Sequence, residues 1–399
     1  MESSVLVSPS QRFHKLAKDI NKFVAFLGVD ILASCLKFNY RTWTTFFVGG
    51  NFMVFTIFSI FNNGGDLEKN LKATSMIGGL IHGLGKLLTC ILKQQDMRRL
   101  TFFTRGIYEE YENRGCHYRT VLHKNITRLL GLIRIIRNGY FVTIFIMMSL
   151  PLAMLMYDGT RVTAMQFDIP GLSLESNIGF TATYLIHLLS MVVGGVGFYG
   201  GDLFVFLGLT QIITFADMLQ LKIDELNEAL ELKAISRELS AVGVQIGGEK
   251  YRLQLLLDVI KWHQLFTNYC STVNAIYHEL IDTQVIAMAL SMLLSFCLNL
   301  SGFNLSLVVF FVVAAYSMSV YCFQGTIIEF GYDKVYESIC NVAWYELGVN
   351  ERKLFGLMLR ESQHPHTIQI LGIMSLSMRT ALQIAKLIYS VSMMMMNRS

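Results

Sequence analysis

Residues 283–328 read TQVIAMALSMLLSFCLNLSGFNLSLVVFFVVAAYSMSVYCFQGTII, forty-six positions without one acidic or basic side chain. An α-helix rises 1.5 Å per residue and crosses a hydrocarbon layer with about 20 apolar residues. The stretch is therefore too long for one crossing and right for two, reversing at the polar segment Asn299 to Asn304. With no water in the hydrocarbon, each backbone group must bond within its own helix or a closed barrel. Runs of this length select helices, and the rest of the chain follows from that choice.

Outward from this pair, the same criterion marks further spans. Trp43 to Phe61 is uncharged, Ala73 to Leu92 carries His82 and Lys86, and Gly139 to Tyr157 contains Pro151. Ser176 to Gly201 is uncharged and continues apolar past Asp202 to Ala216, and Thr367 to Met396 holds Arg379 and Lys386. Seven crossings result. The whole composition agrees: 53% hydrophobic and 16% charged, with a mean hydropathy of +0.46, where a soluble domain is roughly a quarter charged. The amino terminus has no basic stretch leading into an apolar run, so the first span is expected to act as the signal.

Lysine and arginine gather on the side of the membrane that faces the cytosol. Six precede Trp43, eight lie between Lys93 and Arg128, and more follow at Lys222 to Lys261 and Lys334 to Arg360. The opposite connections hold only Lys69, Lys72 and Arg161. This predicts a cytosolic amino terminus and an extracellular carboxyl terminus, the reverse of a G-protein-coupled receptor. No cysteine lies between Cys116 and Cys270, so the disulfide such receptors commonly carry after the third span cannot form. The seven cysteines are expected to stay reduced.

The division expected along the chain is a cytosolic helical segment at 1–42 and spans one to four with a ligand pocket at 43–216. Cytosolic extensions of spans four and five follow at 217–260, spans five and six at 261–328, cytosolic anchor helices at 329–366 and a last span at 367–399. Leu219, Ile223, Leu226 and Leu230 recur at helical steps among charged residues, as do residues in 332–347 and 351–359. A stripe of this kind belongs to a packed helix, hence the expectation of a helical anchor domain under the bilayer.

In the last span Ser375, Arg379, Gln383, Lys386 and Ser390 are spaced to share one helix face. A charge at mid-bilayer normally faces protein or a water-filled cavity, so the stripe reads as the lining of a conduit. Beyond it, Val391, Ser392, Met393 and Met394 are apolar enough to close a narrow pore by dewetting. Phosphate-cradling glycine loops, HExxH, nucleophile elbows and catalytic histidine–cysteine–carboxylate spacings are missing, so neither an enzyme, a cofactor nor a metal is expected. His364-Pro365-His366 reads as a turn, and the basic residues follow membrane sidedness rather than nucleic-acid binding. Gly79-x-x-x-Gly83 and Gly197-x-x-x-Gly201 read as close helix packing.

Trp344-Tyr345-Glu346, Leu354, Leu359, Ser362-Gln363-His364-Pro365 and Tyr389-Ser390 together resemble the carboxyl-terminal pattern of the insect odorant receptor family. The likeness in length, span number, inverted orientation and inside extensions covers the whole chain. The TY-then-QF ending of the gustatory relatives is absent, and the connection between spans four and five lacks the long insertion of the co-receptor subunit. The resemblance implies an odor-tuning subunit of a ligand-gated, non-selective cation channel in the plasma membrane of olfactory sensory neurons. It also implies assembly with co-receptor subunits as a heterotetramer whose last helices surround the pore.

It implies, further, a small volatile odorant bound in the outer half of the bundle. By depth and helical facing the expected contacts are Ile77, Leu80, Ile81 and Leu84 in span two, and Phe145, Met148 and Leu152 in span three. Span four adds Tyr184, His187, Leu188 and Met191, and span six adds Phe311, Val312, Ala315 and Tyr316. A metabotropic seven-helix receptor and a gustatory-type receptor channel are the alternatives at this point. A transporter would show two related halves, and no such repeat is found.

Overall fold

The computed structural model describes residues 8–62, 66–240, 249–364 and 368–396. Pro365 and His366 of the turn and Thr367, the expected start of the last span, lie outside the described residues. The helices are α1 (Pro9–Phe26), α2 (Tyr40–Asn62), α3 (Leu67–Leu92), α4 (Gln94–Tyr111), α5 (Cys116–Tyr157), α6 (Asn177–Ser240), α7 (Glu249–Ser301), α8 (Leu305–Cys340), α9 (Val349–Ser362) and α10 (Met378–Met396). A 3-10 turn occupies Trp344–Glu346, and a short antiparallel hairpin pairs β1 (Gln369–Ile370) with β2 (Met374–Ser375). The charge-free stretch breaks where expected: α7 ends at Ser301, and Asn304 caps α8 by accepting from the Ser306 amide at 3.0 Å.

Six helices among the described residues, α2, α3 and α5 to α8, are long and apolar enough to cross a membrane. α2 shows why lipid is their solvent. It exposes Trp43, Phe47, Val54 and Phe61 while burying Thr42, Thr56 and Ser59. In water such a surface would be a large sticky patch; against acyl chains it is the stable arrangement. The chain is a multi-pass membrane protein.

At the centre runs α6, buried on all sides from Leu203 to Leu219 apart from Ile213. Its backbone is pinned from neighbouring helices: Tyr277 Oη donates to the Phe204 carbonyl, Tyr269 Oη to Gly208 and Trp262 Nε1 to Phe215. α1 packs on it from the amino-terminal side. Ser8 caps α1, Pro9 occupies its first turn, and Phe13, Leu16, Ala17, Ile20 and Val24 form its buried stripe. The bases and rings of the extension region also pair off. Lys222, 5% exposed, sits among the rings of Tyr111, Tyr118 and Trp262 at 5.3–5.8 Å. Burial there pulls its amine below the usual range.

The last helix departs from expectation. α10 begins at Met378, so Ser375 lies on β2 rather than on the helical stripe. Leu371 and Gly372 turn the hairpin with positive φ (52° and 70°), which interrupts helix before the span. The hairpin is tied to α7 by the Leu371 amide donating to Asp282 (2.9 Å), and the start of α10 to α8 by the Met378 amide donating to Thr326 (2.9 Å). α10 buries Thr380, Ala381, Ile388 and Ser392, while Arg379, Gln383, Lys386 and Ser390 stay exposed on the other side. The polar stripe is therefore not packed inside the chain's own bundle. Its polar content keeps α10 outside the six apolar helices.

Candidate functional site

A cavity of about 230 Å³ opens between α2, α3, α5, α6 and α8, with the end of α1 below it. Missing side chains make the space. Gly79 has no atom within 4 Å of where a Cβ would stand, whereas Gly83 closes against the Phe198 ring at 2.7 Å and Gly195 against Ile144 at 2.7 Å. Gly83, Gly197 and Gly201 are thus packing glycines as expected, and Gly79 faces the void. The α3–α7 contact is carried instead by its neighbour Gly78, whose Cβ would stand 1.9 Å from Ser291 Oγ.

The loop at 158–176 folds back over the cavity. Its Met165, Phe167 and Ile169 are buried with Met76 and Met191, against Phe52, Met147 and Phe310. Phe167 packs edge-on to Phe52 (4.9 Å) and to His187 (4.7 Å). The Met165 amide donates to His187 Nδ1 (3.4 Å) and the Asp168 amide to Ser59 Oγ (3.3 Å). Arg161 ties the ends of the loop together, donating to the carbonyls of Leu174 (2.8 Å) and Glu175 and to Asn177 Oδ1 (2.5 Å).

Behind the cavity wall, which Lys86 borders, lies a buried ion pair. Lys86 Nζ is 2.5 Å from Asp202, their side chains 2% and 0% exposed. Tyr140 and Tyr321 both donate their hydroxyls to the same carboxylate. The ammonium also faces the rings of Phe198 and Tyr321. Four partners on α3, α5, α6 and α8 thus meet at one point. Nothing in the sequence paired these residues, although a lysine and an aspartate within apolar spans are by themselves a reason to look for each other.

Of the expected contacts, Leu80, Leu84, Met191 and Tyr316 line the cavity. Tyr316 enters against Gly139, where a Cβ would clash with its hydroxyl, and donates to the Ile136 carbonyl (3.3 Å). Ile77, Leu188, Phe311 and Ala315 are half-buried without lining it. Met148 packs under the loop cluster, and its carbonyl accepts from Tyr184 (3.0 Å). His187 holds the loop from behind. Ile81, Phe145, Leu152 and Val312 are exposed, Phe145 at 72%. Span one was missed as a wall: Val48, Gly49 and Phe52 of α2 border the cavity. Among the described residues no group of histidine, cysteine and carboxylate side chains could hold a metal ion.

The structure is a mostly helical, multi-pass membrane protein with an apolar chamber under a folded-in loop. The chain belongs to the insect odorant receptor family: the family model described as 7tm odorant receptor matches residues 66–389. It is similar to the putative odorant receptor 83c of Drosophila melanogaster, 65% identical over 392 residues that cover 98% of this chain and 99% of that protein. It also shares its fold with olfactory receptor OR5 from Machilis hrabei, solved with eugenol (TM-score 0.76) and without it (0.75). Each match is 11% identical and covers 98% of this chain and 100% of the other. The protein is thus an odorant-sensing receptor from a family of receptors, not of enzymes.

Proposed function

We propose that this chain is the odorant-binding subunit of a ligand-gated, non-selective cation channel, assembled with co-receptor subunits as a heterotetramer. The observation that carries the reading is the apolar cavity beneath the 158–176 loop. A concave, mostly apolar space with few polar groups suits a small volatile molecule, and the OR5 of the same fold was solved with eugenol. In this reading the odorant contacts are the cavity-lining members of the expected set, and His187 acts through the loop it holds.

The conducting path is formed by α10 of each subunit as a seventh crossing. The exposed stripe Arg379, Gln383, Lys386 and Ser390 supports this, since a polar face turned away from its own bundle needs water or a partner. Val391, Met393 and Met394 form the gate, while Ser392, buried against Cys297 of α7, drops out of the expected set. The lysine and arginine bias supports a cytosolic amino terminus, an extracellular carboxyl terminus and an anchor domain at 217–260 and 329–366 facing the cytosol. The plasma membrane of olfactory sensory neurons is the setting.

Whole-cell current recording after co-expression with the co-receptor tests the reading. Tyr316→Ala and His187→Ala are expected to move the odorant dose–response midpoint by about two- to tenfold, the worth of one hydrogen bond. Phe145→Ala, on the lipid side, is expected to leave it in place. Silence across a broad odorant panel despite surface delivery, or equal shifts from Phe145 and Tyr316, would defeat the proposal. A polar residue in place of Met393 is expected to raise resting leak; an unchanged current removes it from the gate.

A further inference from the structure

α10 carries charge of one sign only. From Ser362 to Ser399 the sequence has no aspartate or glutamate, while Arg379 and Lys386 stand two helical turns apart on α10. Gln383 and Ser390 complete the same face. Both bases are exposed, and among the described residues neither is held in an ion pair. Lys86, by contrast, is buried and neutralised by Asp202.

The direction in which this charged face points is fixed at both ends of the helix. At its start the Met378 amide donates to Thr326 of α8 (2.9 Å), and near its end Ser392 is buried against Cys297 of α7 (3.2 Å). Thr380, Ala381 and Ile388 are buried between these points, so the two bases are turned outward together. A fixed positive charge beside a water-filled path raises the potential met by every passing cation. The penalty grows with the charge of the ion. A wall that lowers the occupancy of a monovalent cation by a given factor lowers that of a divalent one by the square of it. Lysine and arginine rings act against cations in pores, as carboxylate rings act for them.

We propose that Lys386, with Arg379 two turns toward the start of α10, sets the valence selectivity of the pore. This subunit's wall holds back divalent cations such as Ca²⁺ more strongly than Na⁺ or K⁺. The inference rests on α10 lining the conducting path and adds to that reading which ions the path prefers. Lys386 lies about 12 Å along the helix axis from Met394. It therefore acts on ions next to the apolar constriction rather than within it.

The measurement is the reversal potential of the current in cells expressing the receptor with the co-receptor, with Na⁺ and then Ca²⁺ as the external cation. A fixed mixture of short-chain alcohols, ketones and esters opens the channel, and surface delivery is followed alongside. Lys386→Gln is expected to raise the Ca²⁺ to Na⁺ permeability ratio roughly twofold and Lys386→Glu roughly fourfold, the effect of one and two unit charges across screened water. Lys386→Arg keeps the charge and is expected to keep the wild-type ratio. Gln383→Glu adds the opposite charge to the same face without touching the lysine. It is expected to raise the ratio as well, so the test stands even where a Lys386 variant fails to reach the surface. A ratio unmoved in both Lys386→Gln and Gln383→Glu, or moved as far by Lys386→Arg as by Lys386→Gln, would overturn the proposal. Treating Gln383→Cys and Ser390→Cys with an aqueous, positively charged methanethiosulfonate reagent, against wild type treated alike, tests the pore reading separately. Current altered by the reagent beside an unmoved ratio sinks the selectivity alone; no effect at either cysteine sinks the pore reading and the selectivity with it.

Discussion

Asp202→Ala is expected to destabilise the folded receptor by about 3–5 kcal/mol, the cost of leaving a buried charge without its partner. The remaining company of the Lys86 ammonium would be two ring faces and the Phe198 carbonyl at 3.4 Å. Tyr140 and Tyr321 would lose their acceptor at the same time. The measurement is the melting temperature in membranes alongside surface delivery, both expected to fall sharply. A double variant, Lys86→Met with Asp202→Asn, removes the charge and leaves an amide oxygen for the two hydroxyls. It is expected to recover most of the loss, because replacing both members of a buried pair is often neutral. A single variant that melts like the wild type, or a double variant no better than the single, would show that the pair does not hold the bundle together.

The second large effect is expected at Gly325. A Cβ there would stand 1.8 Å from the Leu376 carbonyl oxygen and 2.5 Å from its carbon. Both atoms are backbone, so no rotamer change relieves the clash. Gly325→Val is expected to cost about 1–3 kcal/mol or more by overpacking and to lift the start of α10 off α8. Because Thr326 holds the first amide of α10 at the same place, channel response is expected to fall further than surface protein does. Gly356→Ala serves as the control: no atom lies within 4 Å of its Cβ position, and alanine in a helix interior gains roughly 0.5–1 kcal/mol. If the two variants behave alike, the α8–α10 contact does not position the last helix.

How far the site was legible follows from the solvent. In water, periodic apolarity separates a helix's inner face from its outer one. In a bilayer both faces are apolar, so Phe145 and Val312, which point outward, are indistinguishable by hydropathy from Leu84 and Met191, which line the cavity. Small residues carried the missing information: Gly79, Ser190 and Gly194 border the space, where a lipid-facing helix would present bulky side chains. Polar side chains carried the rest, since His82, Lys86 and Asp202 sit within apolar spans and only a protein interior shelters them. The hairpin before α10 escaped notice because two-residue strands leave no periodic pattern.

The chain alone determined that this protein is helical, that it lives in lipid, where the long apolar runs begin and end, and to which family it is akin. Those are consequences of composition and of backbone groups that must bond within their own segment. Tertiary structure decided which faces meet: that the 158–176 loop packs against the cavity wall, that Lys86 finds Asp202, and that the stripe on α10 turns away from its own bundle. Apolarity tells a helix to leave water, and only the fit of small against large side chains tells it which neighbour to take.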